Sequence, residues 1–132
     1  MIRLACIDHV VLRVADLPRA LAFYRDVLGC AIEKEQPELG LWQLRAGASL
    51  LDLVPVDGKL GRQGGAAPGL EARNMDHVCF RVEPFDDATL RAHLAACGVD
   101  AGETATRYGA EGMGPSIYVT DPDGNVVELK GR

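Results

Sequence analysis

This 132-residue chain has no Cys-x-x-Cys pair, no block of five or six like charges, and no apolar run approaching the ~20 residues needed to cross a bilayer. Each absence excludes a class of function. The four cysteines, Cys6, Cys30, Cys79 and Cys97, stand 24, 49 and 18 residues apart. That spacing does not support a disulfide framework, so they are expected to be small buried apolar residues in a reducing compartment. With 14 basic against 19 acidic side chains, a net charge of −5 and no cationic stripe, nucleic acid is not expected as a partner. Nor is a membrane expected. The opening Met1-Ile2-Arg3-Leu4-Ala5-Cys6-Ile7-Asp8 meets an acid too early for a signal-peptide core, and a cytoplasmic location is the expectation. What remains is a globular composition, 48% hydrophobic and 25% charged with 15 Gly and 7 Pro. The length suits one domain, or two small modules sharing a core.

A repeat decides between these. Residues 8–14 read Asp-His-Val-Val-Leu-Arg-Val and residues 76–82 read Asp-His-Val-Cys-Phe-Arg-Val, five of seven identical at an offset of 68. The segments downstream of the two copies also match. After the first come Asp16-Leu17-Pro18 and an apolar stripe of Leu17, Leu21, Tyr24 and Leu28, ending at Gly29. After the second come Glu83-Pro84 and a stripe of Leu90, Leu94 and Cys97, ending at Gly98. Three short strands complete each half, at 31–36, 41–45 and 49–54, and at 102–107, 116–120 and 126–130. The pattern predicts an α+β fold of two βαβββ modules, at about 5–54 and 75–131. The breaker-rich stretch 55–74 between them reads as a connector or a lid.

Residue parity sorts each strand into two faces. Val10, Leu12 and Val14, with Val78, Phe80 and Val82, make the apolar face that a helix covers. His9, Val11 and Arg13, with His77, Cys79 and Arg81, lie opposite. In the last strand of each module, Leu51 and Leu53, or Val127 and Leu129, belong to the core face, which leaves Asp52 and Glu128 on the other. Under a pseudo-twofold relation His9 maps to His77 and Asp52 to Glu128, a set of two imidazoles and one or two carboxylates. Such a set suits a divalent Fe, Mn, Co, Ni or Zn ion with open positions for substrate. The plainer alternative makes each Asp-His pair a strand-end cap or a hydrogen-bonded core histidine.

These residues resemble the vicinal oxygen chelate superfamily, which includes glyoxalase I, extradiol dioxygenases, and fosfomycin- and bleomycin-resistance proteins. The resemblance lies in Ile7 to Leu17, in Ala22-Phe23-Tyr24-Arg25-Asp26-Val27-Leu28-Gly29, in Met75-Asp76-His77-Val78, and in Asp121-Pro122-Asp123-Gly124-Asn125-Val126-Val127-Glu128-Leu129. It implies a curved, mostly antiparallel sheet around a metal cavity, with the helices on the outer face. It places metal ligands at His9, His77 and Glu128. Where glyoxalase I-like members add a glutamate this chain has Asp52, one methylene shorter, so ligation only through water and no ligation at all stay open beside direct ligation. The resemblance further implies a small substrate with two adjacent oxygens, Glu128 or Asp52 as general base, and a homodimer. Lactoylglutathione lyase-like isomerisation and ring-cleaving dioxygenation are the enzymatic readings. The rival is a bleomycin-resistance type of binding protein, whose members generally lack the ligands present here.

Other residues belong to the surroundings. Arg13 and Arg81 lie four residues beyond their histidines, about 13 Å along a strand, and either meet an anionic part of the substrate or are solvated. Tyr118 alternates with Ile117 and Val119, which turns its phenol toward the substrate or into packing. Cys79 reads as an inert cavity wall and His93 as surface. The glycine-rich 108–115 reads as a mobile flap without the ending of a phosphate cradle. Where fosfomycin-resistance members commonly carry a threonine, two positions after the first histidine, this chain has Val11.

Overall fold

The computed structural model describes residues 1–132, which fall into two compact units, Met1–Pro68 and Gly69–Arg132. In the first, strand β1 (His9–Val14) leads into helix α1 (Leu17–Leu21), which continues as a π-type stretch, Ala22–Val27. Strands β2 (Ile32–Gln36), β3 (Leu41–Ala46) and β4 (Ser49–Pro55) come next. The second unit repeats the order with β5 (His77–Arg81), α2 (Asp87–Ala96), β6 (Ala105–Gly109), β7 (Gly112–Thr120) and β8 (Val126–Lys130). This is the α+β arrangement of tandem βαβββ modules. Its strands hydrogen-bond as two four-stranded sheets, one per unit, in the orders β1-β4-β3-β2 and β5-β8-β7-β6. The first and last strands of each module pair in parallel and all other pairs are antiparallel. A parallel pair needs a crossover. The helix and the two strands after it supply that crossover in both units.

The parity expected from the sequence sets the cores. Leu12, Val14, Leu44, Leu51 and Leu53 are buried in the first unit with Ala20, Phe23 and Tyr24 of the helix. Leu94 of α2 is buried in the second, as are Ile117, Val119, Val127 and Leu129. The expected helical stripe of Leu17, Leu21, Tyr24 and Leu28 shifts, and those three leucines are only partly covered. Ala20, Phe23 and Tyr24, at i, i+3 and i+4, face the core instead, and past them the turn widens, the Leu28 N–H bonding to Phe23 O at 3.0 Å, five residues back. Phe23 and Tyr24 thus both point inward, their rings edge to face with centroids 5.0 Å apart.

Other expectations are corrected. Helix α2 starts at Asp87 rather than next to Pro84, because the Asp86 carboxylate caps it by accepting the Thr89 N–H at 2.8 Å. Residues 108–115 are not an irregular loop: they form the β6–β7 hairpin, with Tyr108 facing Met113 and Gly109 facing Gly112. Only Cys30 is buried, and Cys6, Cys79 and Cys97 are exposed. The first part of the 55–74 stretch is fastened to its own unit. The Arg13 guanidinium donates to the carbonyls of Gly61, Gly65 and Ala66 at 2.7–2.9 Å. A Cβ at Gly61 would overlap the Pro55 carbonyl, so this turn closes only around glycine. No helix is long and apolar enough to cross a membrane.

Leu94 is the one fully buried side chain of α2. Truncating it to alanine is expected to lower stability by about 2–5 kcal/mol, measured as a shift of the urea midpoint at unchanged slope.

Candidate functional site

Each unit presents one histidine and one carboxylate on the sheet face turned away from the helix. In the second unit the parallel register pairs His77 with Val126, Cys79 with Glu128 and Arg81 with Lys130. On the other side of β8, Tyr118 faces Glu128 and Ser116 faces Lys130. His77, Cys79, Arg81, Glu128, Lys130, Ser116 and Tyr118 therefore share a face. His77 Nε2 lies 3.4 Å from Glu128 Oε2, and the Tyr118 ring stands edge-on to the imidazole with centroids 5.7 Å apart. Behind Tyr118, the Arg107 guanidinium lies 4.3 Å from the ring centroid and donates to Ser116 O and Oγ at 2.8 Å. A cavity of about 280 Å³ opens on this face, walled by His77, Cys79, Arg81, Glu128, Lys130 and the tip of the β6–β7 hairpin.

The first unit has the same plan. His9 pairs with Leu50 and Val11 with Asp52, so His9 and Asp52 are diagonal neighbours on one face. Gln43 occupies the register position that Tyr118 holds beside Glu128, and its amide donates to Asp52 Oδ2 at 3.2 Å. Nothing in the spacing of the sequence singles out Gln43. Its pairing with Asp52 emerges only once the β3–β4 turn fixes the register.

Both histidines are held in the same way. His9 Nδ1 lies 2.7 Å from Asp8 Oδ1 and His77 Nδ1 2.6 Å from Asp76 Oδ2. A carboxylate can only accept, so each bond places a proton on Nδ1 and leaves Nε2 as the lone-pair nitrogen of the neutral ring. An aspartate behind a histidine is the arrangement that orients metal-ligating imidazoles. Neither ring is a core histidine, since both are exposed. The hydrogen bond to Asp8 raises the His9 pKa above its ordinary value, with smaller contributions from the charges of Asp52 and Asp8.

The carboxylates are buried, Asp52 to 3% exposure and Glu128 to 5%. Asp52 Oδ1 and Glu128 Oε1 have no hydrogen-bond partner. Burial pushes the Asp52 carboxyl upward, against the opposing effect of the Gln43 hydrogen bond and the His9 charge. A buried carboxylate oxygen without a donor costs free energy unless something else binds it. Imidazole Nε2 and unpaired carboxylate oxygen make a mixed nitrogen and oxygen donor set, the chemistry that a first-row divalent ion accepts. Each unit carries two donors of the kind such an ion accepts. Within neither unit do three or more His, Cys, Asp or Glu side chains converge, so each supplies a pair of donors.

The two arginines are engaged differently. Arg13 is committed to the Gly61, Gly65 and Ala66 carbonyls. Arg81 lies on the cavity wall, where Nη1 pairs with Glu111 at 2.5 Å and approaches Glu83 at 3.8 Å. Arg132 contacts the same two acids, at 2.8 and 2.9 Å.

A family model described as Glyoxalase/Bleomycin resistance protein/Dioxygenase superfamily matches residues 6–129. Virulence protein STM3117 of Salmonella typhimurium is 32% identical over 129 residues, covering 93% of this chain and 81% of that protein. Its crystal structure superposes with a TM-score of 0.80 at 26% identity, over 98% of both chains. Mitochondrial methylmalonyl-CoA epimerase of Mus musculus is 29% identical over 134 residues, covering 97% of this chain and 74% of the enzyme. Lactoylglutathione lyase from Agrobacterium tumefaciens shares the fold, with a TM-score of 0.68 at 23% identity over 98% of this chain and 95% of that one.

Two outcomes are expected. Although Cys79 as a whole is exposed, partial desolvation of its thiol against the sheet, reinforced by the Glu128 charge and a hydrogen bond to Glu128, pushes that thiol up to about 11. Iodoacetamide at pH 8 should accordingly label Cys79 roughly ten- to a hundredfold more slowly than Cys6, by peptide mass spectrometry. Asp8→Asn removes the main cause of the raised His9 pKa, and an imidazole NMR titration should show that pKa falling.

Proposed function

Because the chain belongs to the Glyoxalase/Bleomycin resistance protein/Dioxygenase superfamily, we propose that it is a small metal-dependent enzyme that moves a proton on a carbon acid with two adjacent oxygens. The observation that carries this reading is the matched pair of buried carboxylates, each with one oxygen lacking a hydrogen-bond partner and each sharing a sheet face with an Asp-held histidine. The ligand set assigned is His9, His77 and Glu128, with Asp52 as a fourth donor.

A divalent ion held there would polarise the paired oxygens of the substrate and so acidify the neighbouring C–H. Glu128 and Asp52 are the candidate bases. Burial pushes the Asp52 carboxyl upward, which makes it a stronger base than an exposed aspartate. Asp76 and Asp8 keep the two imidazoles in one tautomer, so Nε2 stays available. Tyr118, edge-on to His77, and Arg81, on the cavity wall, are the substrate-contacting side chains of this reading. Arg13 is assigned instead to holding 61–66.

Proton transfer is preferred to ring-cleaving dioxygenation because a two-histidine, one-carboxylate set serves the latter. His9, His77 and Glu128 complete that set and leave the buried Asp52 without a task. A relative named as an epimerase points the same way. The chain is expected to act as a homodimer on a small-molecule substrate.

Protein purified without chelators should carry about one divalent ion per chain. Adding Ni, Co, Mn, Fe(II) or Zn to the stripped protein should raise Tm by several degrees. Glu128→Gln should reduce metal content and abolish isomerisation of a thiohemiacetal, and no oxygen should be consumed with catechols. A protein that carries no metal and gains no stability from any of the five ions would instead be a binder of the bleomycin-resistance kind.

A further inference from the structure

Lys130 is a buried cation that the metal-dependent chemistry does not use. Its side chain is 8% exposed, on the face of β8 that carries Glu128, and it walls the cavity of the second unit. Burying an ammonium is costly unless an opposite charge answers it. The ammonium donates to the Gly131 carbonyl at 3.1 Å, which uses one of its three N–H groups. No carboxylate pairs with it. Glu83 and Glu111 are taken by Arg81 and Arg132, while Glu128 faces His77. The two glutamates and two arginines cancel, and Glu128, two residues along the strand, is turned to His77, so Lys130 is the one cation of this wall without an ion-pair partner.

The chain is built around this side chain. A Cβ at Gly109 would lie 2.9 Å from Lys130 Cε and 3.1 Å from Cδ, and one at Gly114 would lie 2.7 Å from Nζ. The glycines of the β6–β7 hairpin thus leave a slot in which the lysine lies. The first unit has no counterpart: Arg13 faces Val54 there, where Arg81 faces Lys130 here.

We propose that Lys130 makes this cavity an oxyanion subsite, whose Nζ binds a carboxylate or phosphate group on the non-reacting end of the substrate. Two residues along β8 separate it from Glu128, roughly 7 Å. The ligand class is then a compact acid whose anionic group stands about that far from its paired oxygens. The position of the reacting end rests on the proposed function. The anion subsite does not.

The test uses full-length protein stripped with chelator and titrated calorimetrically, at constant ionic strength, with inorganic phosphate and separately with succinate. Wild type should bind one or both probes saturably. Lys130→Met, which keeps the length and removes the charge, should weaken binding about tenfold or more, as loss of a charge-assisted hydrogen bond implies. Lys130→Arg should restore part of it. Lys34→Met, which removes an exposed cation, should bind like wild type. The stronger probe identifies the carboxylate or phosphate class. Equal binding by wild type and Lys130→Met, or no saturable binding of either probe by wild type, overturns the proposal and leaves a lysine hydrated by cavity water. Should Lys130→Met fail to fold, acetylation of Lys130 in the wild type decides: protection by the probe supports the subsite, and unchanged labelling overturns it. Metal content, measured separately on wild type, tests the metal reading, so either conclusion can fail without the other.

Discussion

The functional face depends on the parallel pairing of the last strand of each module with its first. That pairing, β1 with β4 and β5 with β8, sets an imidazole and a carboxylate diagonally on one side of a sheet whose other side is the core. A slip of one residue would send Asp52 and Glu128 into the apolar layer and Leu53 or Leu129 onto the functional face. The cost of such a slip is what fixes the register. The core leucines and valines on one side therefore hold the chemistry on the other in place.

The two modules have kept this frame and changed what stands beside it. Asp52 has the Gln43 amide as its neighbour, and Glu128 has the Tyr118 phenol with a guanidinium stacked behind it. Arg13 closes its module by gripping three backbone carbonyls, whereas its repeat equivalent Arg81 joins an ion cluster at the mouth of a cavity. The donor pairs match and their surroundings do not. One module is closed by its own arginine and the other remains open to a ligand.

Much of this is legible in the sequence, for identifiable reasons. The Asp-His-Val repeat discloses the modules, and period-two alternation assigns Asp52 and Glu128 to the face away from the core. What escapes is whatever needs a register or a choice between helical stripes. Two stripes of 3.6-residue period compete in this helix, and the buried one runs through Ala20, Phe23 and Tyr24 rather than through the leucines. Gln43 is one polar strand residue among several until β3 is aligned with β4. The glycines of 108–115 suggest mobility, since glycine density usually marks loops. Their role is to make space within a hairpin. Lys130 is within reach, because it lies two residues from Glu128 on one strand and parity places both on the same face. Its burial cannot be read, since a lysine ending a strand is ordinarily solvated.

The slot in the β6–β7 hairpin couples positions far apart in the chain. At Gly109 the three nearest atoms that a methyl group would meet all belong to the Lys130 side chain, whereas at Gly114 it would also strike the backbone of Gly131 and Arg132. Position 109 can therefore gain a side chain when residue 130 is shortened, but position 114 cannot. Substitutions at 109 and 130 should be strongly epistatic. A lineage that abandoned the lysine would be released from glycine at one of these positions and remain bound to it at the other.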